Sequence, residues 1–94
     1  MKIWPEPLHF DWDEGNRNKN WIKHKVTNEE CEEAFFDPRK RLIEETFHSG
    51  KERRYLLVGR TFRGRALFIV FVLREKSVRV ISARDLNKKE RKLL

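Results

Sequence analysis

Val78-Arg79-Val80-Ile81-Ser82-Ala83-Arg84 is rich in β-branched residues and predicts a buried β-strand that carries one arginine and ends at another. The residues that follow, 85–92, predict a basic helix that starts near Asn87, with Glu90 placed to complete a capping box. Guanidinium groups held on a rigid strand can bind a phosphate through two parallel hydrogen bonds. This stretch therefore indicates phosphate chemistry.

Three further runs upstream of this strand have the two-residue period of β-structure and are separated by short polar or glycine-containing turns. The run 66–73 is apolar on both faces, as expected of a central strand that is covered on each side. Together the four runs predict a four-stranded antiparallel meander over Leu42–Phe47, Tyr55–Arg60, Ala66–Leu73 and Val78–Ala83.

The amino-terminal part of the chain predicts one short strand, Leu8–Trp12, and two helices. Asp13 suits the N-cap of a helix over Glu14–His24. Thr27 and Glu30 have the spacing of a capping box that opens a second helix, which runs through Phe36. The predicted order is β-α-α-β-β-β-β-α, an α+β domain with a four- to five-stranded, mainly antiparallel sheet.

The 94 residues predict one domain, 1–94, in which residues 1–7 form a variable amino-terminal extension. Cys31 is the only cysteine, so no internal disulfide can form, and a reducing compartment is expected. The start of the chain lacks the apolar run of a signal peptide, and no segment approaches the roughly 20 apolar residues of a membrane span. We expect a cytoplasmic protein without membrane contact.

The net charge of +7 is unevenly distributed, because residues 1–50 carry −3 and residues 51–94 carry +10. A concentration of one sign favours a polyanionic partner such as nucleic acid. A basic surface that serves only solubility would give the same count, so charge leaves both interpretations open.

Metal and cofactor sites are not predicted. His9, His24 and His48 are scattered, and Cys31 does not have the spacing of a zinc ligand. The glutamates at 29, 30, 32 and 33 point in different directions around one helical turn and are typical of a solvated face. No Walker loop or nucleophile elbow occurs.

The arginines of the predicted sheet are the stronger signal. The alternation predicts that Arg79 shares a face with Ile81 and Ala83, so it must extend to an edge of the sheet, pair with a carboxylate or line a cleft. A structural ion pair and a ligand site both stay open. Arg84, Arg65 and Arg54 flank strand ends. Guanidinium groups stabilise charge that develops on a phosphate. RNA is favoured over DNA because its 2′-hydroxyl can act as the nucleophile without a metal.

Lys23 and His24 are candidates for proton transfer at the end of the first helix. The simpler interpretation is that His24 caps the helix carbonyl groups while Lys23 is solvated. The residues alone favour neither strongly.

An ordered set of motifs, from about residue 8 to the end of the chain, resembles the BrnT family. The motifs are Phe10-x-Trp12-Asp13-Glu14, Asn20-x-x-Lys23-His24-x-Val26-Thr27, Glu33-Ala34-Phe35-Phe36-Asp37-Pro38, Arg54-Tyr55-x-x-x-Gly59 and Arg79-Val80-Ile81-Ser82-Ala83-Arg84 with Glu90-Arg91. The resemblance implies a ribonuclease toxin of a type II toxin–antitoxin system with a RelE-like fold. It also implies a BrnA-type antitoxin whose ribbon-helix-helix domain binds operator DNA.

The leading hypothesis is a metal-independent endoribonuclease that inhibits translation. In it Arg79 and Arg84 clamp the scissile phosphate, Lys23 or His24 transfers protons, and Arg54 with Arg65 binds flanking phosphates. The alternative is a non-catalytic co-repressor subunit that binds a DNA-binding antitoxin. A third possibility is an RNA-binding module without turnover.

Overall fold

The computed structural model describes residues 9–44, 53–75 and 77–94. These residues form two α-helices, five strands and a carboxy-terminal 3-10 turn. The elements are β1 (His9–Phe10), α1 (Lys19–His24), α2 (Asn28–Phe35), β2 (Arg41–Glu44), β3 (Arg54–Arg60), β4 (Ala66–Arg74), β5 (Ser77–Asp85) and the 3-10 turn Glu90–Leu93.

The strands form one five-stranded sheet in the order β1-β5-β4-β3-β2. Strands β2 to β5 are joined as the predicted antiparallel meander, and β1 adds to β5 in the parallel direction through two residue pairs. The prediction of an α+β domain with a mainly antiparallel sheet is confirmed. Strand β4 is central, as its apolar sequence predicts.

The helices cover one face of the sheet, and the core lies between them. Val26, Cys31, Ala34 and Phe35 are buried on the helical side. They pack against the strand side chains that point to this face, and the ring of Phe35 meets that of Phe71 edge-on, with centroids 5.0 Å apart. On the sheet side the buried cluster consists of Leu57, Leu67, Ile69, Phe71, Val78, Val80 and Ala83.

The second helix forms as predicted. Thr27 is its N-cap: Thr27 Oγ1 accepts from Glu30 N at 3.0 Å, and Glu30 Oε1 accepts from Thr27 N at 3.0 Å. The capping box satisfies amide groups that the first helical turn leaves without partners.

The first helix is shorter than predicted, because residues 14–18 form turns and α1 begins at Lys19. Asp13 therefore does not cap a helix. Instead, Asp13 Oδ1 accepts from Gly15 N at 2.8 Å, and Asp13 O accepts from the amides of Asn16 and Arg17. These bonds fold the chain into a turn before the helix starts.

Two other boundaries differ from the prediction. The residues near 87 form the expected reciprocal bonds, with Asn87 Oδ1 accepting from Glu90 N and Glu90 Oε1 accepting from Asn87 N, but the helix they open is a single 3-10 turn. Strand β2 is seen over Arg41–Glu44, and residues 45–47 of the predicted run lie outside the described residues, as does Leu8 of the first strand.

Candidate functional site: an arginine-rich sheet face

The face of the sheet opposite α1 and α2 carries arginines from four strands. The register places the even-numbered side chains of β3 and β4 on this face, with Phe68, Val70 and Val72 along its centre. Six arginines of the described strands share it: Arg41, Arg54, Arg60, Arg74, Arg79 and Arg84. We call it the arginine face.

A β-bulge puts Arg79 and Arg84 on the same face. Val80 pairs with Phe71 and Ser82 pairs with Val70, so Ile81 is the extra residue between two consecutive β4 residues. The bulge shifts the alternation by one, which places Ala83 in the core beside Val80. The prediction that Arg79, Ile81 and Ala83 share a face is therefore wrong.

Arg79 is held by two aspartates that follow β1. Its Nη1 and Nη2 donate to the two carboxylate oxygens of Asp13 at 2.8 and 3.0 Å, and Nη1 also donates to Asp11 Oδ2 at 3.4 Å. The bond to Arg79, with that from Gly15, lowers the pKa of Asp13, and Asp13 in turn raises the pKa of Arg79. Nε and one Nη2 hydrogen make no hydrogen bond with the described residues.

Gly15 leaves room for this ion pair. A Cβ atom at residue 15 would lie 3.0 Å from Arg79 Nη2 and 3.1 Å from Asp13 Oδ1. Such contacts are closer than ordinary van der Waals separation, so a larger side chain would displace the guanidinium. The glycine of the turn therefore has a packing role at the site.

The turn that carries Asp13 is fastened to the same strand as Arg79. Asn16, only 3 % exposed, donates through Nδ2 to Val80 O at 3.1 Å and to Asp11 O at 2.9 Å. Its Oδ1 accepts from Asp13 N at 2.8 Å. The chain of contacts from Val80 through Asn16 and Asp13 to Arg79 fixes the guanidinium relative to β5.

Side chains also cover the outer edge of β5 beyond its short pairing with β1. Lys19 Nζ donates to Ile81 O at 3.2 Å, and Asn20 Oδ1 accepts from Ala83 N at 2.9 Å. These contacts hold helix α1 along the edge of β5. They also supply partners for backbone groups that a neighbouring strand would otherwise bind.

Arg54 lies in the same cross-strand row as Arg79. Both pair with Val72, Arg54 from β3 and Arg79 from β5. With strands about 4.8 Å apart, their Cα atoms are separated by roughly 10 Å. Arg54 makes no hydrogen bond or ion pair with other described residues. Within the described part of the chain, this row therefore combines one anchored guanidinium with one that lacks a carboxylate partner.

Arg84 stands further along the arginine face. Its Nη1 and Nη2 donate to the two oxygens of Glu90 at 2.7 and 2.8 Å, and its guanidinium lies over the ring of Phe68, with Cζ 4.5 Å from the centroid. The hydrogen bond from Arg84 lowers the pKa of Glu90 to about 2. Their β4 partners, Val72 for Arg79 and Phe68 for Arg84, are four positions apart, which puts the Cα atoms of the two arginines roughly 14 Å apart.

The structure places Arg65 on the helical side of the sheet. Its Nε and Nη2 donate to Asp85 at 2.6 and 3.0 Å, and Nη1 donates to Glu30 at 3.2 Å. It also donates to the carbonyl groups of His24, the last residue of α1, and of Lys25, its C-cap. Arg65 thus caps the end of α1 and joins it to α2, away from Arg54, Arg79 and Arg84.

Lys23 and His24 are exposed at the end of α1, on the helical layer. They are therefore not on the arginine face with Arg79. An RNA that contacts both sets must pass around the edge of β5 along which α1 runs.

Capping was the role predicted for Asp13 and Glu90, and no site role was predicted for Gly15 or Asn16. Asp13, Gly15 and Asn16 act through contacts more than 60 residues along the chain, which residue spacing does not reveal. Glu90 lies only six residues from its partner Arg84, but the capping spacing does not indicate this ion pair. Within residues 9–44, 53–75 and 77–94, no group of three or more His, Cys, Asp or Glu side chains is arranged to hold a metal ion. In the same residues, no helix has both the length and the apolarity required to cross a bilayer.

The fold and this face define a class: a small α+β domain with carboxylate-anchored arginines on one face of its sheet, an arrangement of donors that can bind phosphate groups. A family model described as the ribonuclease toxin BrnT of type II toxin–antitoxin systems matches residues 12–90. The match covers well over half of the chain, which therefore belongs to the BrnT family. Membership implies an RNA target and an antitoxin partner. A comparison with curated proteins gave no match.

Proposed function

We propose that this protein is an endoribonuclease that cleaves RNA without a metal ion, with Arg79 binding the scissile phosphate. The observation that carries the proposal is the row formed by Arg54, Val72 and Arg79. Asp13 occupies the Nη1 and Nη2 end of Arg79, which leaves the side formed by Nε and Nη2 for two parallel hydrogen bonds to a phosphate. Arg54, across Val72, binds the same phosphate or its neighbour.

The 2′-hydroxyl of the RNA supplies the nucleophile. A base takes its proton as its oxygen attacks the adjacent phosphorus, the bond from phosphorus to the 5′-oxygen breaks, and an acid gives a proton to that 5′-oxygen. The products are a 2′,3′-cyclic phosphate and a 5′-hydroxyl end. Negative charge develops on the phosphate oxygens during attack, and preorganised guanidinium donors stabilise it more than they stabilise the ground state.

Lys23 and His24 are proposed to transfer the protons. Because these residues lie on the helical side of the sheet, an RNA bound to Arg79 must bend around β5 to reach them. Substitution of each residue tests this role. We expect Lys23→Met and His24→Gln to change the pH dependence of kcat. An unchanged pH profile in both variants would remove them from the proton-transfer step.

Cleavage of a single-stranded RNA in the presence of EDTA tests the central claim. The wild type should cleave, and Arg79→Gln should lose about 10²–10³-fold in kcat, the usual cost of removing a donor to developing negative charge. Arg79→Lys should also be impaired, because an ammonium group does not reproduce bidentate geometry. Arg39→Gln is the matched control, since Arg39 is exposed in the loop between α2 and β2.

Four results would contradict the proposal. Full activity of a folded Arg79→Gln variant would remove Arg79 from the site. Loss of wild-type activity with EDTA would indicate a metal nuclease. Cleavage of a substrate with a 2′-deoxy nucleotide at the scissile position would exclude the 2′-hydroxyl as nucleophile. Absence of cleavage together with tight antitoxin binding would favour the non-catalytic co-repressor.

We further propose a RelE-like fold, translation inhibition as the outcome, and a BrnA-type antitoxin with a ribbon-helix-helix domain as the partner. The meander with two helices on one face supports the fold assignment. Family membership supports the class of partner. Operator DNA would be bound only through the antitoxin, so a mobility shift should require both proteins. A shift by the toxin alone would contradict this.

A further inference from the structure

Arg84 differs from Arg79 in that its guanidinium lies over an aromatic ring. Phe68 is its direct cross-strand partner, and the guanidinium carbon is 4.5 Å from the ring centroid. The Arg84 side chain is still 36 % exposed, so part of it remains accessible beside this contact.

Hydrogen bonds fix the plane in this orientation. Glu90 accepts from both Nη atoms, and Nη1 also donates to Asp85 O at 3.1 Å. Glu90 itself is held by its reciprocal bonds with Asn87. The charge of Arg84 is therefore balanced locally, while its guanidinium is held in place and its side chain stays partly exposed.

From this geometry we infer that Arg84 binds a nucleobase of the RNA by stacking, with Phe68 supporting the guanidinium from below. Unstacked bases of single-stranded RNA commonly stack on aromatic rings and guanidinium planes. The separation of roughly 14 Å from Arg79 assigns the base to a nucleotide beyond the cleaved bond. The inference rests on the proposed RNA-cleaving function and gives Arg84 a role different from the phosphate clamp predicted from the sequence.

Salt dependence distinguishes a stacking residue from a phosphate ligand. Each phosphate contact with single-stranded RNA contributes about 0.7 to the slope of log affinity against log salt. A stacked guanidinium whose charge is balanced by Glu90 contributes little to this slope. The probe is a short fluorescein-labelled RNA with 2′-O-methyl groups, which prevent attack by the 2′-oxygen, titrated by anisotropy at several KCl concentrations.

We expect Arg84→Gln and Arg84→Lys each to bind this probe roughly tenfold more weakly than wild type, with an unchanged salt slope. Lysine keeps the charge but lacks the plane, which makes it the critical variant. Arg54→Gln is the control for a phosphate ligand and should lower the slope by about 0.7. A cooperative thermal unfolding transition in each variant checks that all are folded.

Abasic substitution locates the base. A set of probes carries a single abasic nucleotide, each at a different position. One position should weaken binding by the wild type but leave binding by Arg84→Gln unchanged. Three results would overturn the stacking role alone. They are wild-type affinity of Arg84→Lys for the probe, a salt slope reduced by about 0.7 in Arg84→Gln, and a failure to find any such position in the probe. Failure of the wild type to bind any RNA probe would overturn the proposed function and this inference with it.

Discussion

Replacing Asn16 with alanine should strongly destabilise the protein, although the residue lies in a turn. The substitution removes the hydrogen bonds to Asp11 O and Val80 O and the one from Asp13 N. A typical bond contributes about 1 kcal/mol, and a buried acceptor left alone, here Val80 O, costs about 1–3 kcal/mol. We therefore expect a loss of about 3 kcal/mol in the free energy of unfolding. For a domain of this size that corresponds to a fall of about 12–24 °C in Tm.

Urea denaturation followed by tryptophan fluorescence measures this loss, with Asn18→Ala as the matched control. Asn18 is an exposed asparagine of the same turn, at the N-cap of α1, and its side chain makes no capping hydrogen bond. The control should change stability by less than about 0.5 kcal/mol. If Asn16→Ala were as stable as the control, or both equally destabilised, the proposed fastening of the turn to β5 would be refuted.

Three further substitutions or conditions test other parts of the structure. Gly59→Ala places a Cβ 2.7 Å from the carbonyl oxygen of Ala34, so we expect about 1–3 kcal/mol of destabilisation by urea denaturation; wild-type stability would contradict this close helix–sheet contact. Burial raises the pKa of the Cys31 thiol to about 12, so a thiol reagent at pH 8 should modify it in urea but not in the native protein; rapid native labelling would contradict its burial. Because Arg84 lowers the pKa of Glu90 from 4.5 to about 2, this pair stabilises the fold above pH 4.5 and ceases to do so as pH falls towards 2. Glu90→Gln should therefore reduce the acid-induced loss of unfolding free energy by up to about 1 kcal/mol. An unchanged pH dependence of stability would argue against the pair.

Local sequence patterns predicted most of the fold. The Thr27 and Glu30 capping box and the four β-rich runs depend on residues within one turn or one strand, where side-chain chemistry decides the backbone. The first helix was predicted too long because Gly15 and Asn16 serve contacts with a strand more than 60 residues away. Such tertiary contacts override helical spacing and cannot be inferred from it.

The candidate site was predictable only in part. Arg79 was predicted on a strand and Arg54 and Arg84 beside strand ends; all three lie in strands, and they share one face. Their carboxylate partners were not predicted as partners, because Asp13 precedes Arg79 by 66 residues. The positions of Lys23, His24 and Arg65 on the helical side depend on how α1 packs along β5, which the period of the sequence does not specify.

The bulge at Ile81 decides which side chains of β5 lie on each face of the sheet. Removing this one residue would leave the composition almost unchanged but would invert the orientation of every side chain on one side of the deletion. Arg84 would then turn into the apolar interior, or Arg79 would, depending on which half of the strand kept its pairing. In this strand the number of residues decides which side chains reach the arginine face, just as their identity does. Homologues without the extra residue would need their arginines at shifted positions to build the same face.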